Sequence, residues 1–186
     1  MQPATGEVLE SVDIESAFFA EGLTQIGDEI VQLTWRENTA LFWDADTFTR
    51  LREVAYEGEG WGICFDGERL VMTDGTPVLI FRDPVTFDEI GRIPVTFDGR
   101  ALQNLNEVEC VDGDVWANIW QSNQIVRIDP SSGNVTALVD AIGLDPPTEP
   151  NGAVLNGIAW DETTESFYVT GKLWPTMFRV RFIPAS

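Results

Sequence analysis

The stretch NEVECVDGDVWANIWQSNQIVRIDPSSG, residues 106–133, decides the fold class of this 186-residue chain. It contains a polar opening at Asn106-Glu107, an alternating segment over residues 115–120, and a tight turn over residues 129–133. Alternation rich in β-branched and aromatic residues is typical of a half-buried strand. Asp at the head of a turn, Pro after it and Ser near its end are typical of tight hairpin turns. The stretch therefore predicts short antiparallel strands joined by tight turns.

The same elements recur along the chain. Inner segments of similar build open at Glu21, Trp61, Asn106 and Asn156. The Thr or Ser residues of the recurring turns lie 42, 39 and 46 residues apart, at Thr5, Thr47, Thr86 and Ser132. A period of about 40 residues with about four short strands per unit is typical of a β-propeller. Because long segments of helical period are absent, we predict an all-β propeller in a single domain over residues 1–186.

Two loops stand out between the repeated elements. Asp74-Gly75 is typical of a type I′ turn. Residues 143–152 are rich in proline, which predicts either a surface loop over the mouth of the ring or a disordered connection.

Composition narrows the classes of partner. The chain has 31 acidic and 11 basic residues, for a net charge of −20. A field of that sign repels phosphate backbones and anionic lipid, so we expect neither nucleic acid nor a membrane as partner. No apolar run approaches the roughly 20 residues that span a bilayer, and the first residues do not resemble a signal peptide. We therefore expect an ordered domain with a solvated acidic surface.

The chain contains no histidine, which excludes Ser-His-Asp and Cys-His mechanisms and argues against a catalytic zinc site. Its two cysteines, Cys64 and Cys110, lie in strand-like apolar segments. Buried free thiols are the favoured interpretation, and a disulfide or a redox role is the alternative.

Polar and aromatic side chains open the repeated inner segments. In a propeller the innermost strands line the central channel, and the residues at their openings form the usual ligand site. We therefore expect a group of side chains to converge on one mouth: Glu21, Trp61, Asn106 with Glu107, and Asn156, joined by Trp35, Trp120 and Lys172. Aromatic walls with a carboxylate, an amide and a lysine suit a small polar ligand that carries an amine and a carbonyl.

Each candidate also fits a structural interpretation. Glu21 fits a solvated turn, although the two phenylalanines before it predict a raised pKa. Asn106 fits a turn cap, and Asn156 is interpreted as a turn residue that supports Lys172. Lys172 is the single basic residue between Gly133 and Arg179, which favours a functional position for it. Three tryptophans fit wedges between blades as well as ligand platforms: Trp35, Trp120 and Trp174.

Eight short stretches, read in order, carry a family resemblance. They are FAEGLT (19–24), QLTW (32–35), YEGEGWG (56–62), MTDG (72–75), LNE (105–107), ANIW (117–120), VLNGIA (154–159) and TGKLWP (170–175). Together they cover nearly the whole length of the chain in one order. In these stretches the sequence resembles the plant- and bacterial-type glutaminyl-peptide cyclotransferases, also called glutamine cyclotransferases.

The resemblance implies a five-bladed propeller that converts the N-terminal glutamine of a peptide to pyroglutamate with loss of ammonia. It matches Glu21 to the catalytic acid. It matches six further residues to the pocket lining: Phe19, Trp35, Trp61, Asn106, Trp120 and Lys172. It implies an enzyme that needs no metal and whose partner is a peptide with an N-terminal glutamine. We also expect no cofactor and a monomer, although the sequence does not determine the oligomeric state. Family members are often exported to the periplasm or secreted, so the compartment stays open.

One part of the family pattern has no counterpart in this sequence. The family opens with a Phe-Thr-Gln-Gly-Leu motif and a Glu-Ser-Thr-Gly stretch, which belong to its first blade. We therefore expect about four blades and part of another. The alternative function is a catalytically impaired propeller that binds peptides or small ligands.

Overall fold

The structure, a computed structural model, describes residues 2–144 and 152–184. Its secondary structure consists of seventeen strands joined by turns, with no helix in those residues. In the described part of the chain, no helix is long and apolar enough to cross a membrane. The predicted all-β class is confirmed.

Four antiparallel sheets follow one another along the chain, and in each the neighbouring strands are consecutive in sequence. Blade 1 contains β1 (Ala20–Ile26), β2 (Glu29–Thr34), β3 (Thr39–Asp44) and β4 (Arg50–Ala55). Blade 2 contains β5 (Ile63–Phe65), β6 (Leu70–Met72), β7 (Val78–Arg82) and β8 (Glu89–Pro94). A small hairpin follows, of β9 (Thr96–Phe97) and β10 (Arg100–Ala101). Blade 3 contains β11 (Leu105–Val111), β12 (Asp114–Ile119), β13 (Gln124–Ile128) and β14 (Val135–Asp140). Blade 4 contains β15 (Val154–Asp161), β16 (Ser166–Lys172) and β17 (Phe178–Val180).

The predicted tight turns join the third and fourth strands of blades 1 to 3. Asp44 Oδ1 accepts the N–H groups of Asp46 and Thr47, at 3.2 and 2.8 Å. Asp83 and Asp129 cap the next two turns with the same kind of bond. The period of about 40 residues therefore marks one position in successive blades.

The blades pack face to face around their first strands. β1 contacts β5, β5 contacts β11, and β11 contacts β15, so the four first strands lie next to one another in chain order. Three apolar cores fill the spaces between successive blades. Phe42 of blade 1 and Phe87 of blade 2 pack edge to face in the first of these cores, with ring centroids 5.8 Å apart. These three cores contain most of the buried apolar residues, including residues of the first strands such as Ile63 and Leu105.

Cys64 and Cys110 form a disulfide, so the interpretation as free thiols is wrong. Cys64 lies on β5 and Cys110 on β11, and their Cα atoms are 5.5 Å apart, within the usual range for a disulfide. Alternation along each strand shows only that a cysteine faces inward. The pairing depends on the contact between two blades, which brings together residues 46 positions apart.

Residues 2–19 precede β1 and contain no strand. The predicted turn near the start forms, since the Gly6 N–H donates to the Gln2 carbonyl at 2.8 Å. The segment then lies beside blade 1, where Val12 and Ile14 border a small cavity of about 160 Å³ together with blade residues such as Trp43. Residues 145–151, which make up most of the predicted Pro-rich loop, lie outside the described residues.

Candidate active site

Three of the four first strands are irregular at the same point. The register shifts between Ala20 and Leu23 in β1, between Leu105 and Val108 in β11, and between Leu155 and Ile158 in β15. An extra residue in one strand of a pair bends that strand and re-aims its side chains. The residues inside the three bulges are Glu21-Gly22, Asn106-Glu107 and Asn156-Gly157, and the equivalent pair in blade 2, Trp61-Gly62, directly precedes β5. Three of the four repeated openings of the sequence are therefore β-bulges beside the axis.

Hydrogen bonds at these openings join neighbouring blades. The Gly22 N–H donates to the Trp61 carbonyl at 2.9 Å. The Gly62 N–H donates to Thr73 Oγ1 at 2.9 Å, and the Thr73 hydroxyl donates to the Asn106 carbonyl at 2.7 Å. These bonds connect blades 1, 2 and 3 next to the side chains that the bulges expose.

Blades 3 and 4 are connected through two amide side chains. Asn156 Oδ1 accepts the Glu107 N–H at 3.4 Å, and Asn118 Oδ1 accepts the Gly157 N–H at 3.1 Å. The sequence assigned Asn156 to a turn that supports Lys172. Its side chain instead reaches the neighbouring first strand, because the bulge turns it toward the axis.

A cavity of about 510 Å³ opens where the bulges meet. All seven residues predicted for the site line it: Phe19, Glu21, Trp35, Trp61, Asn106, Trp120 and Lys172. Glu107 and Asn156, which the sequence placed at the same mouth, line it as well. Asn106 is the most enclosed of the polar candidates, with 6% of its surface exposed. The structure brings the candidates together, and their chemical roles stay a prediction.

Two aromatic pairs form the walls of this pocket. Phe19 meets Trp35 edge to face at 5.7 Å between ring centroids, and Trp61 meets Trp120 at 5.4 Å. Such pairs hold their rings in defined relative orientations. Trp174 lies outside the pocket lining and packs against the core between blades 3 and 4. From the sequence, each of the three tryptophans fits either a ligand platform or a wedge between blades. In the structure Trp35 and Trp120 line the pocket, whereas Trp174 does not.

Burial and neighbouring charges shift the pKa values of two carboxyls in the pocket. Burial raises the pKa of Glu21, the positive charge of Lys172 opposes that rise, and the charge of Glu59 adds to it. Burial also raises the pKa of Glu107 well above its ordinary value, and Glu109 and Glu21 raise it further. Lys172 Nζ lies 5.1 Å from the centroid of the Phe19 ring. Glu21 is therefore a carboxyl that holds its proton more tightly than a solvated glutamate does.

Two residues that support the tryptophan walls were not singled out from the sequence. Glu59 Oε2 accepts the indole N–H groups of both Trp35 and Trp61, at 2.7 and 3.0 Å. Gly75 has φ +81°, and a Cβ there would lie 2.6 Å from the Trp61 ring, so glycine leaves the space that this ring fills. The signal for Glu59 was its place between two glycines, two residues before Trp61. The prediction of a type I′ turn at Asp74-Gly75 is wrong, because that turn needs a positive φ at both residues and only Gly75 has one.

Within residues 2–144 and 152–184, no three Asp, Glu or Cys side chains lie close enough together to hold a metal ion. The polar side chains that line the pocket are the carboxyls of Glu21 and Glu107, the amides of Asn106 and Asn156, and Lys172.

Comparisons with known proteins agree with one another. The sequence profile of the glutamine cyclotransferase family matches residues 1–182. A glutaminyl-peptide cyclotransferase from Arabidopsis thaliana is 36% identical over 185 residues, which cover 97% of this chain and 57% of the Arabidopsis protein. The chain thus spans a little more than half the length of that relative.

Solved structures support the fold. The crystal structure of Myxococcus xanthus glutaminyl cyclase superposes with a TM-score of 0.84 at 39% identity, covering 88% of this chain and 72% of that one. The WD40 domain of Toxoplasma gondii coronin is similar in fold alone, with a TM-score of 0.50 at 17% identity over 82% of this chain and 39% of that one. The propeller prediction is confirmed.

Proposed function

The chain belongs to the glutamine cyclotransferase family, and on that premise we propose that its pocket converts the N-terminal glutamine of peptides to pyroglutamate with release of ammonia. One observation carries the proposal. A partly buried carboxyl with a raised pKa, Glu21, shares a pocket with Lys172, Asn106 and tryptophan walls. That set suits a substrate that presents an amine and an amide carbonyl close together.

The reaction is an intramolecular transfer, so most of the catalysis is positioning. The neutral α-amine nitrogen of the substrate attacks its own γ-carboxamide carbon, and a five-membered ring closes as the C–N bond to the leaving nitrogen breaks. Aromatic walls on two sides favour the folded side chain over its extended forms. Trp35 and Trp61 with Trp120 supply those walls.

We assign the proton transfer to Glu21. Its carboxylate takes the proton that the attacking nitrogen loses and then gives that proton to the departing nitrogen, which leaves as ammonia. The proton count of the reaction balances, because the carboxylate is regenerated and no water is consumed. Burial raises the pKa of Glu21 and thereby makes it a better base than a solvated glutamate.

Negative charge develops on the γ-carbonyl oxygen during the attack, and a hydrogen-bond donor must face it. Asn106 and Lys172 both line the pocket and both carry donors. Asn106 is nearly enclosed, whereas Lys172 is exposed at the rim. We assign the oxyanion to one or both of these side chains.

The test is to incubate the full-length protein with a glutaminyl peptide and to measure ammonia release together with the mass of the product. Glu21→Gln should reduce turnover by at least about 10²-fold while circular dichroism shows an intact fold. Glu162→Gln, at an exposed glutamate, is the matched control and should retain turnover. If the wild-type protein releases no ammonia, the proposed enzymatic function is refuted. Tight peptide binding without product would favour the alternative, a catalytically impaired propeller that binds peptides.

We also propose that the protein works as a single-domain monomer with neither a nucleic-acid nor a membrane partner. The net charge of −20 supports the absence of these two classes of partner, because it opposes binding to phosphate and to anionic lipid. Light scattering after gel filtration measures the oligomeric state, and a dimer mass would contradict the proposal.

A further inference from the structure

Glu59 lies in the connection between blades 1 and 2, and its carboxylate joins two walls of the pocket. One oxygen, Oε2, accepts both indole N–H groups, from Trp35 at 2.7 Å and from Trp61 at 3.0 Å. Trp35 directly follows β2 and Trp61 lies two residues before β5, so the two rings come from different blades. A shared acceptor atom therefore restricts the position of one ring relative to the other.

The second oxygen of this carboxylate is also bound. Glu59 Oε1 accepts from Arg36 Nε at 3.0 Å, and the Arg36 guanidinium carbon stands 3.8 Å from the centroid of the Trp35 ring. The arginine thus covers Trp35 and orients the carboxylate at once. With both oxygens engaged, the Glu59 side chain has one arrangement that satisfies all three donors.

The backbone that follows Glu59 is also held by hydrogen bonds. The Gly60 N–H donates to the Trp35 carbonyl at 2.9 Å, and the Trp61 N–H donates to the Thr73 carbonyl at 3.0 Å. A Cβ at Gly60 would collide with Tyr56 and with the Thr34 carbonyl, so only glycine allows the connection to approach so closely. The carboxylate is therefore presented from a constrained segment rather than from a free loop.

Glu59 does not line the pocket. We propose that Glu59 is a positioning residue that holds Trp35 and Trp61 in the relative orientation that receives the substrate. The inference deepens the proposed function and rests on it for the nature of the substrate. The carboxylate acts through the two indoles and touches no reacting atom.

Glu59 also acts on the proposed acid-base group through its charge. The hydrogen bonds from Trp61, Arg36 and Trp35 lower the pKa of Glu59, so it is ionised at neutral pH. Its negative charge raises the pKa of Glu21, while Lys172 lowers it, and Glu107 is a further carboxyl in the same pocket. Removing the charge at residue 59 should therefore shift the ionisation of Glu21 to lower pH.

The first experiment does not depend on activity. In protein labelled with ¹⁵N-tryptophan, the indole N–H resonances of Trp35 and Trp61 are assigned from Trp35→Phe and Trp61→Phe. Both should shift in Glu59→Gln and Glu59→Ala, and both should move together when acid protonates Glu59 in the wild-type protein. Glu57→Gln, at an exposed glutamate in the same connection, is the control and should leave both in place. Unchanged resonances in the Glu59 variants would overturn the inference.

The second experiment separates positioning from a purely structural role. In Glu59→Gln, kcat/KM for a glutaminyl peptide should fall about tenfold, chiefly through KM, which corresponds to the loss of one hydrogen bond to a charged group. The acid limb of the pH profile, meaning the fall of kcat/KM at low pH, should also move to lower pH. Glu59→Asp keeps the charge but is one methylene shorter, so it should raise KM and leave the limb in place. Unchanged KM and limb in a folded Glu59→Gln protein would overturn the inference.

Failure of this inference is distinguishable from failure of the proposed function. If the wild-type protein binds the glutaminyl peptide but releases no ammonia, the proposed enzyme fails. Peptide affinity, followed by tryptophan fluorescence, then replaces KM. An affinity that is about tenfold weaker in Glu59→Gln supports the positioning role, and an equal affinity refutes it.

Discussion

The backbone of Gly62 lies against that of Asn106 so closely that a Cβ at residue 62 would come within 3.0 Å of it and of the next two residues. Gly22 stands in the same relation to the Trp61 carbonyl, at 2.7 Å from its own would-be Cβ. Glycine at the second position of these repeated openings lets the first strands of adjacent blades touch. The side chains that precede the glycines are thereby brought to one pocket.

Gly62→Ala should lower the free energy of unfolding by about 2–3 kcal/mol, because the added methyl group meets backbone atoms that cannot rotate away. Urea denaturation followed by tryptophan fluorescence measures the change. Gly91→Ala is the matched control, since its Cβ would meet Phe81 at an ordinary 3.7 Å, and it should change stability by less than about 1 kcal/mol. Equal effects of the two substitutions would refute the close-contact argument.

Lys172→Met should move the acid limb of kcat/KM to higher pH. The lysine charge lowers the pKa of Glu21, so its removal leaves the carboxyl protonated over a wider range of acid pH. Initial rates across the pH range on a glutaminyl peptide measure the limb. Arg100→Gln removes an exposed positive charge outside the pocket and should leave the limb in place. An acid limb that is unchanged or moves to lower pH in Lys172→Met would contradict the assignment of Glu21 as the group that accepts the proton.

Glu109→Gln should stabilise the protein at alkaline pH and not at acid pH. Burial raises the pKa of Glu109 from an ordinary 4.5 to about 7, so the folded state binds this proton more tightly than the unfolded chain. The stabilisation that the proton provides is present below pH 4.5 and is lost as pH rises to about 7. Glutamine does not ionise and avoids that loss, which amounts to at most about 3 kcal/mol.

Urea melts at pH 4, 6 and 8 measure this difference between Glu109→Gln and the wild-type protein. It should be small at pH 4 and should grow toward pH 8. Glu162→Gln, at an exposed carboxyl, should show no such trend. A difference for Glu109→Gln that does not depend on pH would show that residue 109 ionises freely in the folded protein.

Loss of the disulfide should cost about 4 kcal/mol of unfolding free energy. The bond between Cys64 and Cys110 closes a loop of 46 residues, and the chain-entropy relation for a loop of that length leads to this value. Urea melts of the Cys64→Ser/Cys110→Ser protein, and of the wild-type protein with and without a phosphine reductant, measure it. The reductant should not affect the double variant. A wild-type protein with the same stability after full reduction would contradict the prediction.

Much of the fold is local enough to be predicted from the sequence. Asp44 and its counterparts cap turns through bonds to residues two and three positions ahead, so their spacing reveals the blade period. Alternation identifies strands in the same way, because the side-chain period of a strand is two. The pocket residues were predictable as well, since Glu21, Trp61 and Asn106 occupy the same place in successive repeats and the stretches around them match one family.

What only the tertiary structure decided are the contacts between blades. The sequence shows that Cys64 and Cys110 face inward, but β5 and β11 must pack together before the two sulfurs can meet. Glu59 reaches Trp35 across 24 residues and a change of blade, and no periodicity encodes that hydrogen bond. Local pattern determines which face of a strand is buried, whereas the register and close approach of neighbouring blades determine which side chains touch. The repeated openings and their convergence on one mouth could therefore be predicted from the sequence, whereas the bulges and glycine contacts that hold them against one another followed only from the packing of the blades.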